Sequence, residues 1–248
     1  MIVKYFKCEY VMAELSHFFS TPILALKDNH YSTRAEELIK ECYAWKGEDI
    51  EKGLHRSNQG GWHSHTAIFK EKRPAISIMC RTMIQSFNKA TELIAPAFDI
   101  SKMEMKGEGW ININPQASYN VPHDHPGYTW SGVYYISVPE TNDSRSGYIE
   151  FLDPRTSVSA FSPELSKSSE YFSPKRTIKP YNGLILIFPS YLRHWVYPND
   201  ENKDRITAAF NFKYSPKLDP NALLSEAQRQ AAHQGKNLKG PKSNKKKR

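Results

Sequence analysis

The chain has 248 residues, 39% of them hydrophobic and 24% charged, with 16 Pro, 12 Gly and 3 Cys. That is globular composition, and it excludes the collagen-like, disordered and disulfide-stapled classes. The longest wholly apolar run, Leu184 to Phe188, is far shorter than the roughly 18 to 20 residues needed to cross a bilayer, so no membrane partner is expected.

The formal charge of +8 invites a nucleic-acid reading. Yet Lys236 to Arg248 carries seven positive charges and no acidic ones, which leaves +1 for the rest. The basicity belongs to a low-complexity tail at 236–248 that cannot bury enough apolar surface to fold. That tail is either a solvated end or a tether to nucleic acid or another charged partner. Cys8, Cys42 and Cys80 are odd in number and widely spaced, so they frame neither a disulfide scaffold nor a zinc pair. With no signal segment visible at the N-terminus, the expected setting is reducing and intracellular, that is, cytoplasmic.

In chain order, a helix is expected from about Thr33 to Trp45, with Ser32 as N-cap and Glu36 and Glu37 in the first turns. A second runs from Arg73 to Ala95. Pro74 opens it, and Ile76, Met79, Cys80, Met83, Ile84, Phe87 and Leu93 form one apolar stripe that should pack on a sheet. From about Gly107 the texture changes to short strands: Trp110 to Asn114, Gly132 to Val138, Gly147 to Leu152, Gly183 to Phe188 and Arg205 to Phe212. Evenly punctuated short strands predict a sandwich or jelly roll. The Ser-, Lys- and Pro-rich stretch from Pro154 to Pro180 reads as a mobile lid or an insertion. A short amphipathic piece around Ala222 to Ala232 precedes the tail. The expected organisation is a helical support region at 1–106, a β core at 107–216, a short helix at 217–235 and the tail.

Three histidines fall at expected strand ends. In Pro122-His123-Asp124-His125-Pro126, residues i and i+2 of an extended strand share a face about 6.6 Å apart, so His123 and His125 can converge on one ion while Asp124 points away. His194 follows the apolar strand that ends at Phe188, and Arg205 comes eleven residues later. A second H-x-H, His63-Ser64-His65, lacks such a sequel, so the first pair is favoured. By period-2 counting, Ser131, Val133 and Tyr135 share one face, and Arg205, Thr207, Ala209 and Asn211 share another; the two can line one pocket. Asn114, closing the strand before the pair, is a further polar candidate for that pocket.

These residues resemble the Fe(II)/2-oxoglutarate-dependent oxygenase superfamily, and more nearly a little-characterised family of 2-oxoglutarate/iron oxygenases found in bacteria and phages. Four stretches carry the likeness. They are Ser57-Asn58-Gln59-Gly60-Gly61-Trp62-His63-Ser64, the Trp110 to Asn114 strand, His123-Asp124-His125-Pro126-Gly127 with Trp130 to Tyr135, and Phe188 through His194 to Arg205 and Phe212. The resemblance implies an α+β fold, a double-stranded β-helix (jelly-roll, cupin-like) braced by N-terminal helices. It implies Fe(II), 2-oxoglutarate as co-substrate and O2, a hydroxylase reaction that yields succinate, and a small-molecule or peptide substrate. Position by position, His123 becomes the first ligand, His194 the distal ligand and Arg205 the partner of the far carboxylate of 2-oxoglutarate. Tyr135 is similar in place to a tyrosine that holds the oxoacid in prolyl hydroxylase relatives. The superfamily has a carboxylate where His125 stands. Either His125 completes a three-histidine site, which is the expectation adopted, or Asp124 or Asp153 supplies a carboxylate. The rival functions are an oxoglutarate-independent three-histidine dioxygenase and a non-catalytic jelly-roll binding protein with a vestigial site.

Overall fold

A computed structural model describes residues 4–7, 12–15, 19–141, 145–155 and 163–217. The first strands are β1 (Lys4–Lys7), β2 (Met12–Leu15), β3 (Leu24–Lys27), β4 (Asn58–Gln59) and β5 (Trp62–His63). The later ones are β6 (Met103–Asn114), β7 (Tyr119–His123), β8 (Trp130–Ser137), β9 (Ile149–Leu152), β10 (Lys175–Ile178), β11 (Leu184–Pro189), β12 (His194–Val196) and β13 (Arg205–Pro216). The helices are α1 (Ala35–Glu48), α2 (Pro74–Ile94) and α3 (Pro163–Ser168).

Two antiparallel sheets carry the molecule, in the orders β3-β11-β8-β13-β6-β5 and β10-β9-β12-β7-β4, and β1 and β2 form a separate hairpin. From β6 to β13 the chain passes between the two large sheets in the manner of a jelly roll, which makes those eight strands a double-stranded β-helix.

The six-stranded sheet is buried on both faces, which explains why β11 reads Leu-Ile-Leu-Ile-Phe without polar alternation. Ile185 and Ile187 face a cluster with Met79, Met83 and Phe87 of α2, together with Phe210 and Phe212. Leu184, Leu186 and Phe188 face a second cluster between the sheets, with Val133, Tyr135 and Phe151. Gly132 is required where β8 meets β13, because a Cβ there would lie 2.3 Å from Phe210 Cζ and 2.8 Å from the Leu186 carbonyl oxygen. The middle of α1 is tied to the start of α2: the buried carboxylate of Glu41 accepts from the backbone N–H groups of Ala75 and Ile76, at 3.1 and 2.9 Å. A carboxylate at a helix N-terminus satisfies donors with no partner in the helix and opposes the positive end of its dipole.

Several expectations need correction. α1 starts at Ala35 after a single turn at Tyr31–Thr33, so its N-cap is Arg34, without a side-chain cap, and Ser32 does not cap it. The region at 1–106 is more than helical support. β3 joins the edge of one sheet at β11, β4 extends the other at β7, and β5 pairs with β6, which begins at Met103, ahead of the boundary expected at 107. The Pro154 to Pro180 stretch contains α3 and ends in β10, a strand of the jelly roll paired with β9. β10 is polar because it is an exposed sheet edge, so neither alternation nor apolarity marked it. The expected helix at 217–235 and the tail lie, apart from Lys217, outside the described residues. Among the described residues no helix is long and apolar enough to cross a membrane.

Candidate metal centre

The two sheets bring three imidazoles together. His123 ends β7 and His194 opens β12, and they are direct cross-strand partners. His125 lies two residues past β7, where its backbone N–H donates to the Ser190 carbonyl at 2.9 Å and so ties it to the turn before β12. The ring centres are 4.4 Å apart for His123–His194, 4.9 Å for His123–His125 and 5.3 Å for His125–His194. One ligand atom from each lies within 4.8 Å of the others, and no other His, Cys, Asp or Glu of the described residues joins the group.

The protonation of the rings follows from their partners. His123 Nδ1 is 2.7 Å from the Val121 carbonyl and His194 Nδ1 is 2.9 Å from the Leu192 carbonyl. Each Nδ1 therefore carries the proton and donates, which leaves the Nε2 lone pair available. Asn211 Nδ2 lies 3.4 Å from His125 Nδ1, and Ser131 Oγ donates to Asn211 Oδ1 at 2.8 Å. Burial lowers all three His values. Reinforced by the neighbouring His123, it brings His125 down to about 4 and His194 down to about 3. All three are neutral at pH 7, the form that binds a metal ion.

The alternative carboxylates are elsewhere. Asp124 is exposed and does not line the cavity, and Asp153 is bound to Arg155 at 2.6 Å in the turn after β9.

Arg205 opens β13 and lines the same cavity as the three imidazoles, with Tyr135, Thr207, Ala209 and Asn211. It is 3% exposed and pairs with no carboxylate among the described residues. Its Nε donates to the Gly147 carbonyl at 3.1 Å, and its guanidinium carbon sits 5.2 Å from the Tyr135 ring centre. Gly147 has φ +65°, and a Cβ there would lie 2.8 Å from Arg205 Cδ, so a side chain would displace the arginine. Burial lowers the Arg205 value, yet a guanidinium stays cationic at neutral pH. Burial also pushes the Tyr135 phenol up to about 12, with Arg205 pulling against it. The Tyr135 hydroxyl is near Arg205 but outside hydrogen-bonding geometry, and it and Asn112 Oδ1 are buried without a hydrogen-bond partner.

Asn114 does not line the cavity. It is buried beside Gly61, with its carbonyl accepting from Asn199 Nδ2 at 3.0 Å, and Asn112 takes the cavity position instead. Three polar lining residues escaped the sequence reading: Asn112, Asn120 and Ser57. Asn112 was within reach, since it alternates with Trp110 on the strand already recognised. Ser57 becomes visible only through the pairing of β4 with β7.

The residues present suit a divalent metal and an anionic co-substrate. Three neutral imidazole donors face one point, and a buried cation without a counter-ion stands across the same cavity. Fold and site together define a jelly-roll protein with a candidate three-imidazole metal site. Residues 108–211, the stretch that holds all three imidazoles and Arg205, match the family model described as "Putative 2OG-Fe(II) oxygenase". A search of curated proteins finds no match. Among solved structures, a prolyl-4-hydroxylase from Pseudomonas putida aligns with TM-score 0.51 at 14% identity, covering 76% of this chain and 91% of that one. A prolyl hydroxylase from Trichoplax adhaerens, in complex with a peptide fragment of the hypoxia inducible factor oxygen degradation domain, aligns with TM-score 0.51 at 12% identity, covering 77% and 83%. The non-heme alpha ketoglutarate dependent epimerase SnoN from nogalamycin biosynthesis aligns with TM-score 0.54 at 12% identity, covering 78% and 80%. At these identities the shared property is the double-stranded β-helix.

Proposed function

We propose that this protein is an oxygenase that hydroxylates a small-molecule or peptide substrate, with Fe(II) held by His123, His125 and His194 and 2-oxoglutarate anchored by Arg205. The observation that carries the reading is the buried, carboxylate-free guanidinium of Arg205 in the same cavity as the three imidazoles. An oxygenase that used no dicarboxylate would leave that cation buried without a counter-ion, at a cost of several kcal/mol. Hydroxylases stand among the aligned structures, and so does an epimerase, so the fold accommodates more than one outcome and the substrate decides between them.

Fe(II) and 2-oxoglutarate, when bound, would supply the activation of O2, one oxygen atom going to the substrate C–H bond and the other to the succinate formed as the oxoacid loses carbon dioxide. The chain's own groups do the rest. Arg205 donates two parallel N–H bonds to the far carboxylate, and the bond from Nε to Gly147 fixes the plane of the fork. The Tyr135 hydroxyl and the Asn112 carbonyl oxygen, both without internal partners, are free to meet the polar ends of the co-substrate or its water. Ile149, Phe188 and Val196 line the remaining wall and exclude bulk water. The Val121 and Leu192 carbonyls hold His123 and His194 in the tautomer that presents Nε2.

The test is anaerobic addition of Fe(II) and then 2-oxoglutarate, read by the visible charge-transfer band of the chelate. The wild-type chain should give the band, and Arg205→Ala should weaken oxoglutarate binding by about 3 to 5 kcal/mol, a hundredfold or more. An unchanged affinity in that variant overturns the assignment of Arg205 and favours an oxoglutarate-independent dioxygenase.

A further inference from the structure

The stretch from Ser57 to Ser64 serves mostly to fasten the chain. Asn58 closes the loop on itself: its Nδ2 donates to the Gly61 carbonyl at 3.0 Å and its Oδ1 accepts from the Arg56 N–H at 2.8 Å. Trp62 Nε1 donates to Asp49 at 2.8 Å, and Ser64 Oγ accepts from the Ile111 N–H at 3.0 Å. The Ser57 hydroxyl differs. It faces the cavity, with Asn120 Nδ2 donating to it at 3.2 Å and the His123 Nε2 lone pair 3.4 Å away. Ser57 itself is held in place by its backbone, whose carbonyl accepts from the Val121 N–H at 3.0 Å.

The proton count at this hydroxyl is the argument. Asn120 occupies one lone pair of Ser57 Oγ, so the oxygen is fixed and its own proton must be donated elsewhere. His123 Nδ1 keeps its proton on the Val121 carbonyl, so Nε2 offers a lone pair, and without a metal the Ser57 O–H can donate to it. A metal bound at Nε2 takes that lone pair. The Ser57 donor then loses its acceptor while Asn120 still holds it beside the metal. We propose that Ser57, positioned by Asn120, is a hydrogen-bond donor to an anionic ligand that shares the metal with His123, either a carboxylate of the oxoacid or a separate small anion.

This inference rests on the three-imidazole metal site proposed above, and the experiment separates the two. The chain is loaded anaerobically with Co(II), its metal content is measured, and the visible spectrum is titrated with azide and, separately, with 2-oxoglutarate. Ser57→Ala should keep about one Co(II) per chain with unchanged Co(II) affinity, while its affinity for one of the two anions falls about tenfold or more, the loss of one hydrogen bond to a charged group. The anion that weakens identifies which position Ser57 serves. Ser57→Thr, which keeps the hydroxyl, should restore the wild-type value, and Asn120→Ala should show a partial loss. Affinities for both anions within twofold of wild type in Ser57→Ala overturn the inference, and so does a fall in Co(II) affinity, which would make Ser57 a ligand or a structural residue. A wild-type chain that takes up no Co(II) overturns the site reading itself, and this inference with it.

Discussion

His63-Ser64-His65 and His123-Asp124-His125 have the same spacing, and each pair begins at the last residue of a short strand, β5 or β7. Beyond that first histidine the two chains diverge. After His63 the chain keeps along β6, with the Ser64 N–H on the Ile111 carbonyl, and no second strand brings a further histidine to it: His65 reaches solvent, 3.4 Å from Glu51, while the His63 ring stays buried, stacked on Trp110 at 5.0 Å with Nδ1 2.6 Å from the Ser64 carbonyl. After His123 the chain is caught again, since the His125 N–H is bound to Ser190 and β12 delivers His194 directly opposite His123. Period-2 spacing therefore permits two imidazoles to converge, and a third element pairing with the same strand decides whether they do. His63 instead backs the centre indirectly, because the Trp110 ring it stacks on lies 6.0 Å from the His125 ring.

The contrast is broken most sharply by iron content. His194→Ala should abolish the single Fe(II) expected per chain, because two donors leave an incomplete site, whereas His63→Ala and His65→Ala should keep it. Iron lost in the His63 or His65 variants but retained in the His194 variant would mean that the other pair holds the metal. Within the favoured pair, His125→Ala should lose most of the iron and His125→Asp should retain it, since a carboxylate at that place still donates; untouched iron in both would remove His125 from the ligand set.

A smaller effect sharpens the comparison from the other side. His63→Ala should cost about 2 to 3 kcal/mol of stability in denaturant unfolding, by opening a cavity against Trp110 and leaving the Ser64 carbonyl unpaired, while the exposed His65→Ala should cost less than about 0.5 kcal/mol. Equal costs for the two would show that the Trp110 stack contributes nothing.

The pH dependence of stability tests the burial of the favoured histidines themselves. Burial and the neighbouring His123 hold His125 down to about 4 and His194 down to about 3 in the folded chain, against the ordinary 6.5 in the unfolded one, so between those values the unfolded chain binds protons that the folded chain does not. The metal-free protein should have its full stability above about pH 6.5 and lose it progressively as the pH falls toward 4. A melting temperature for the metal-free wild type that is the same at pH 7.5 and pH 5.5 would contradict that burial.

The order H-x-H, H, R and the apolar run of β11 were readable because both depend on local pattern: ligand types at fixed spacing, and a strand buried on two faces. The short-range reading fails where an element's role is set by a distant partner. Lys175–Ile178 is polar because it is the edge strand of its sheet, and only its register with β9 shows it to be a strand of the jelly roll. Met103 to Lys106 extends β6 because β13 continues beside it to Pro216, although the residues themselves gave a start nearer Gly107. Asn114 and Asn112 have the same parity on β6, so counting alone could not choose between them; Gly61 and Asn199 take Asn114 away from the cavity.

The loop that links β4 to β5 also bears on how the folded chain meets its copies in solution. At their facing ends, the two large sheets finish in two-residue strands, Asn58–Gln59 beside β7 and Trp62–His63 beside β6, and both belong to one continuous stretch. A sheet edge attracts foreign strands in proportion to the run of unpaired N–H and C=O groups that it presents, and an edge two residues long, turning away at Gly60 and Gly61, presents almost none. One continuous stretch, carried on past β5 by the Ser64 N–H on the Ile111 carbonyl and the Thr66 carbonyl on the Gly109 N–H, thus occupies the edge of β6 from Gly109 to Ile113, and the part of that strand that carries Trp110 and Asn112 is not open to foreign strands.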